Sequence, residues 1–181
     1  MATIYTVGHS TRAWPDFVDV LNAHAIARLV DIRAFPMSRR MPHFNREAMA
    51  EALPEAGIEY RWMRELGGRR AKQRADSPNL GLRNEAFRNY ADYMLQETFQ
   101  QAAGELVELA QRQRTAVMCA EKVFFQCHRM LVSDYLVLHG HNVLHIEDAR
   151  PPKSHRVTPE AHVSGGQVIY SAGPLFKDGV A

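Results

Sequence analysis

Both cysteines of the chain, Cys119 and Cys127, fall in one short stretch, residues 116–129, together with Glu121, His128 and Arg129. A cysteine does chemistry as its thiolate, and it needs a base or an electropositive setting to reach that state. Cys127 directly precedes a run with apolar residues at helical spacing, Met130, Leu131, Tyr135 and Leu138, so a helix N-terminus and nearby cations would lower its pKa and make it a nucleophile or redox thiol. Consecutive helical side chains point about 100° apart, so at most one of His128 and Arg129 need face that thiol. Glu121 lies two residues past an apolar run and suits a general base or a partner for an arginine. The plainer readings stand beside these: buried small side chains for Cys119 and Cys127, and a surface carboxylate for Glu121. Cys119 closes its apolar run, where burial without function is the simpler state.

A metal is the main rival. Cys119, Cys127, His128 and His9 offer the soft and imidazole ligands that suit zinc or iron, although their C-x7-C-H spacing matches no short zinc knuckle. Other chemistries are excluded by pattern. Neither a G-x4-G-K-[ST] phosphate loop nor a G-x-G-x-x-G dinucleotide fingerprint is present. A tyrosine-phosphatase-like loop would need an arginine six residues after its cysteine, and that position holds Ser133.

These residues must be placed by secondary structure. Residues 3–7, 27–34, 58–63, 115–119 and 142–146 read as strands, rich in β-branched and apolar types, with helical spacing in most of the intervals between them. Ser10 or Thr11 is a plausible cap for a helix through Trp14, Phe17 and Leu21, whose free N–H groups would bind an anion. A short helix covers 46–56 with Asn45 as its cap. Helical spacing resumes at Glu85 and runs to Ala110, with Gly104 either separating two helices or lying within one. Residues 69–82, basic and broken by Pro78 and Gly81, read as a long surface loop of the lid or binding kind.

Alternating strands and helices predict an α/β domain over residues 1–147: a mainly parallel sheet of about five strands with helices on both faces. Residues 148–181 form a small C-terminal appendage, with Gly165 and Gly166 turning a possible short hairpin. In such a sheet the loops after the strands share one edge, which gathers His9, Ser10 and Thr11; Asp31, Arg33 and Ser38; Gly67 and Gly68; and Cys119, Glu121, Cys127 and His128.

The net charge of +2 is unevenly spread. Residues 61–74 hold six basic side chains, Arg61, Arg64, Arg69, Arg70, Lys72 and Arg74, against Glu65 alone, and residues 33–46 hold four arginines and no acid. Such clusters favour an anionic partner, a small molecule or a nucleic acid, with a solvated basic loop as the bland alternative. No apolar run reaches the roughly 18 residues that span a bilayer, and no basic and apolar leader opens the chain. The expectation is therefore a cytoplasmic protein with no membrane partner and two reduced thiols.

The ordered motifs Thr6-Val7-Gly8-His9-Ser10-Thr11, Leu29-Val30-Asp31-Ile32-Arg33, Gly57-Ile58-Glu59-Tyr60 with Leu66-Gly67-Gly68, Cys119-Ala120-Glu121, Cys127-His128-Arg129 and Val143-Leu144-His145-Ile146 resemble DUF family 488, a domain of unknown function. The resemblance spans residues 3–147 and implies an α/β domain with functionally important cysteines, leaving the reaction open.

Three functions follow as expectations. The leading one is an enzyme on a phosphate-bearing substrate, a nucleotide or nucleic acid. Cys127 would be its reactive thiol, Glu121 and His9 its acid or base groups, and Cys119 a second site thiol. Ser10, Thr11, Arg33, Ser38 and Arg129 would hold the anion, flanked by Arg69, Arg70, Lys72 and Arg74. The second is a zinc or iron enzyme using the Cys/His set, and the third is a nucleic-acid-binding module without catalysis. Sequence alone leaves the oligomeric state open.

Overall fold

The computed structural model describes residues 1–171. Five parallel strands carry the fold: β1 (Thr3–Gly8), β2 (Arg28–Asp31), β3 (Glu59–Trp62), β4 (Thr115–Cys119) and β5 (Asn142–Ile146). A two-residue strand, β6 (Lys153–Ser154), adds antiparallel to β5, so the sheet has six strands in the order β3-β2-β4-β1-β5-β6. The sequence expectation of about five strands omitted only β6, which is too short to show a period.

Neighbouring residues of a strand point to opposite faces, and in β1, β2, β4 and most of β5 both faces are buried, whereas the edge strand β3 exposes Glu59 and Arg61. On one face Tyr5, Leu29, Ala116 and Met118 pack against Phe17 and Leu21 of α1 (Trp14–Ala23) and Met49 and Leu53 of α2 (Arg46–Glu55). On the other, Ile4, Val30, Val117 and Val143 pack against α3 (Glu85–Met94), α4 (Glu97–Arg112) and α5 (Arg129–Leu138). The faces follow from right-handed crossovers. The chain crosses the sheet one way from β1 to β3 and returns through β4 to β5, so its helices change sides.

Local details depart from the sequence reading in two places. Helix α1 starts at Trp14 after Ala13, with Pro15 in its first turn, and neither Ser10 nor Thr11 caps it. Ser10 instead adopts a left-handed conformation (φ 53°), and its N–H donates to the Ala120 carbonyl at 2.9 Å. The long helical run breaks at Leu95–Gln96, while Gly104 lies inside α4.

Beyond β5 the chain stays on the domain. The expected hairpin forms as β7 (Ala161–Ser164) and β8 (Gln167–Tyr170), turned by Gly165 and Gly166 with φ of 57° and 79°, the mirror-image turn that suits strand twist. Val168 and Tyr170 enter the core beside α3 and α5. The Tyr170 N–H donates to Asn79 Oδ1 at 3.0 Å, and Asn79 Nδ2 donates to Asp92 Oδ1 at 2.7 Å, so the long basic loop is pinned near its end. Residues 172–181 of the predicted appendage lie outside the described residues.

Candidate active site

The loops that follow β1, β2 and β4 end at one edge of the sheet, and register alone places Gly8 beside Cys119 and Asp31 beside Met118. The space between these loops and the start of α3 is a cleft of about 480 Å³, within the usual range for ligand sites. Its floor is Cys119, Cys127 and His128; its walls include His9, Arg33, Ser38, Gly68, Arg69, Tyr90 and Glu121.

Cys119 ends β4, and Cys127 arrives through a single 3-10 turn (Phe124–Gln126) just before α5. Both thiols are free and buried. Only Arg129 of the pair His128 and Arg129 faces Cys127, as the helical spacing required, while His128 turns to the neighbouring Cys119. His128 sits at the helix entrance with Nδ1 3.9 Å from Cys119 Sγ. Its Nε2 lies 2.9 Å from the Ile32 carbonyl, which can only accept, so the proton is on Nε2 and the Nδ1 lone pair faces the thiol. Burial holds the His128 pKa down, in keeping with a neutral ring. Space for that ring exists because residue 68 has no side chain: a Cβ there would lie 2.3 Å from His128 Nδ1. A Cβ at Gly8 would lie 1.9 Å from the Glu121 carbonyl oxygen, so the loop after β4 closes on bare backbone.

Arg129 is only 1% exposed. Its Nε donates to Cys127 Sγ at 3.2 Å, Nη1 to Thr6 Oγ1 at 3.5 Å, and Nη2 to the carbonyls of Glu121 and Lys122. Among the described residues no carboxylate pairs with it. A buried cation without a counter-charge is costly, and the groups beside it best able to supply a negative charge are the thiols.

The two thiols share that charge unequally. Cys119 is brought down to about 7 chiefly by a hydrogen bond from Cys127, opposed by burial and helped by the Glu121 backbone N–H and by Arg129. Cys127, which keeps its proton to make that bond, is pushed up by the bond and by burial. The coupling across the loop opposes the pull of the helix end on Cys127, the thiol the sequence reading favoured, and its direction favours the thiolate on Cys119.

Several expected anion contacts are committed elsewhere. Arg33 grips Asp31 with Nε and Nη2 at 2.9 and 2.6 Å, the Phe44 carbonyl with Nη2, and His9 Nε2 with Nη1 at 3.2 Å. One Nη1 hydrogen has no partner among the described residues, and Arg33 lines the cleft. His9 is neutral, held down to about 4 by burial, donates from Nδ1 to the Ser10 carbonyl, and stacks on Phe44. Both ring nitrogens are therefore engaged within the protein, although the ring lines the cleft where an acid or base was expected. Neither Ser10 nor Thr11 lines the cleft, and Arg129 is spent behind Cys127. Ser38 does line it, its hydroxyl oxygen accepting from the Met41 N–H at 3.0 Å. In the basic loop, Arg70 stacks on Tyr93 and donates to three carbonyls, Arg74 pairs with Asp76, and Arg69 reaches the cleft.

Sequence reasoning missed Tyr90, whose hydroxyl donates to the Leu66 carbonyl and whose ring meets His128 edge-on at 5.2 Å. It also missed a buried chain of hydrogen bonds behind Arg129. Thr6 Oγ1 donates to His145 Nδ1 (2.7 Å), His145 Nε2 to His155 Nδ1 (2.9 Å), and His155 Nε2 to Asp134 Oδ1 (2.8 Å). Asp134 can only accept, so every proton in the chain is assigned without conflict. Of these residues, His145 lay in a recognisable motif; Asp134 and His155 gave no sequence signal, because nothing in spacing brings 134 to 155.

For potential metal ligands, Cys119, Cys127 and His128 place one atom each within 4.8 Å of one another, the single such group among the described residues. His9, expected in that set, is outside it.

The fold and cleft define an open, mostly parallel α/β protein with a paired-thiol site at the carboxyl ends of its strands. The model of one family, described as domain of unknown function DUF488, matches residues 13–136, and the chain belongs to that family. Comparison with curated proteins and with solved structures found no match. No helix among the described residues is long and apolar enough to cross a membrane.

Proposed function

We propose that the protein is a thiol-dependent enzyme whose cleft takes a phosphate-bearing substrate, a nucleotide or nucleic acid. The observation that carries this reading is the carboxylate-free burial of Arg129 against Cys127, which favours a thiolate at the cleft floor. Cys119 is the nucleophile or redox thiol, and Cys127 holds it through its S–H. The His128 Nδ1 lone pair and the exposed Glu121 carboxylate are the groups within the cleft able to take or give a proton. Arg69, the Ser38 hydroxyl and the remaining Arg33 N–H supply the anion contacts. Free thiols fit a reducing compartment, and we place the protein in the cytoplasm.

The test is alkylation by iodoacetamide from pH 5 to 10, with turnover of a panel of nucleotides and oligonucleotides. One thiol alkylating with an apparent pKa near 7, lost in Cys119→Ser together with turnover, is the expected result. Two thiols titrating near the free value of about 8.5 would remove the thiolate from the site.

A second reading is favoured by the ligand geometry. Cys119, Cys127 and His128 could hold zinc or iron, with the His128 ring oriented by the Ile32 carbonyl in the way such ligands usually are. Elemental analysis of untagged protein purified without oxygen separates the two. Metal near one per chain, abolished by either Cys119→Ala or Cys127→Ala, selects the metal enzyme.

A further inference from the structure

We propose that the mouth of the cleft receives one base of a single-stranded nucleic acid, with the strand continuing over the basic rim. This rests on the reading of the cleft as a site for a phosphate-bearing substrate and narrows its substrate class. Phe35 and Met37 are 64% and 76% exposed, and both line the cleft from the loop after β2. Phe87, from the first turn of α3, lines it as well. Large apolar side chains held in water at the entrance of a polar, thiol-floored cleft suit a ligand with a flat apolar face.

The second observation is charge. Arg39, Arg40, Arg69 and Lys72 are exposed, and none forms an ion pair among the described residues. They come from two separate loops, after β2 and after β3, and of the four only Arg69 lines the cleft. A free nucleotide seated in the cleft would leave the other three without a partner, whereas a strand brings further phosphates to them. Aromatic side chains interleaved with such cations are how proteins hold unpaired strands: each base stacks while the backbone follows the charge. A duplex offers a base to Phe35 only after that base is unpaired and unstacked, so it should bind more weakly than a strand whose bases are already free.

The experiment is fluorescence anisotropy with a labelled ten-nucleotide single strand, DNA and RNA in turn, against the same sequence as a duplex, against AMP as competitor, and against polyglutamate, at low and moderate salt. Single strand is expected to bind at least tenfold tighter than duplex. Phe35→Ala should weaken it about tenfold, within the range that stacking contacts usually show, and Phe35→Trp should retain it. Arg40→Gln with Arg69→Gln should flatten the salt dependence. Phe35 is exposed, so its replacement leaves the fold intact, which a thermal melt checks.

Duplex or polyglutamate binding as tightly as single strand, AMP competing as well as the strand, or indifference to Phe35→Ala overturns the inference. The thiol reading is judged separately. Phe35-dependent strand binding with thiols of ordinary reactivity would keep this inference and remove the catalysis. A thiol with a pKa near 7 in a protein that binds no strand would do the reverse.

Discussion

The Arg129 guanidinium donates to Cys127 Sγ at 3.2 Å from a buried position that no carboxylate among the described residues shares. Replacing it by Met removes the buried cation that stabilises the thiolate and leaves the Glu121 and Lys122 carbonyls without their donor. The apparent thiol pKa should rise from about 7 to the ordinary value or above, read by alkylation rate and thiolate absorbance against pH. The fold should lose about 3 kcal/mol in urea denaturation. Arg129→Lys keeps the charge and loses the fork, so it should shift the pKa less.

Gly68→Ala places a methyl 2.3 Å from His128 Nδ1, and the ring, fixed by the Ile32 carbonyl, has nowhere to retreat without losing that bond. About 1–3 kcal/mol of stability should be lost. Cys119 alkylation should change with it, because the imidazole facing that thiol moves. An unchanged melting curve would show that the loop at residue 68 yields freely.

Asp134 accepts from His155 Nε2, from the Thr158 N–H and hydroxyl, and from the Tyr170 hydroxyl. Asp134→Ala strands four donors in the core, and the cost should be about 3–5 kcal/mol. The damage is expected to reach the sheet edge formed by β6 and the β7–β8 hairpin first, visible as lost amide protection there before the central strands exchange.

Acid should begin to destabilise the fold above the pH range in which the carboxylates protonate. His9 is held to about 4 and His145 to about 3, both by burial first, with Arg33 acting on His9 and His155 and Arg129 acting on His145 in the same direction. As pH falls from about 6.5, the unfolded chain takes up these protons and the native chain does not, so the unfolded state gains. About 2 kcal/mol per histidine should be lost by pH 4.5, measured as a falling urea midpoint. His145→Gln should flatten that slope.

Strands β1, β2, β4 and β5 were legible because both their faces are buried, and apolar runs such as residues 115–119 survive any choice of neighbours. The edge that gathers the site was legible too, since parallel order alone puts Gly8 next to Cys119. Partner choice was not. Arg33 stands in a basic segment and looks free, yet its own Asp31, two residues back, takes two of its five side-chain N–H donors. Ser10 loses its capping role to Pro15, whose fixed φ sets the helix start farther along. The helix-end argument gave Cys127 the lower pKa because the contact that decides the matter, with Cys119, crosses a loop whose shape spacing does not reveal.

The pairing of Gly8 with Cys119 joins residues more than a hundred positions apart, and that of Asp31 with Met118 joins residues nearly ninety apart. Closing such distant strands is slow relative to forming local helices. Until it is done, Cys119 lacks its partners and behaves as an ordinary thiol. Alkylation at neutral pH during refolding is therefore a clock for sheet completion: early pulses should mark both accessible thiols alike, and the pattern should become unequal between Cys119 and Cys127 only as β4 slots between β1 and β2.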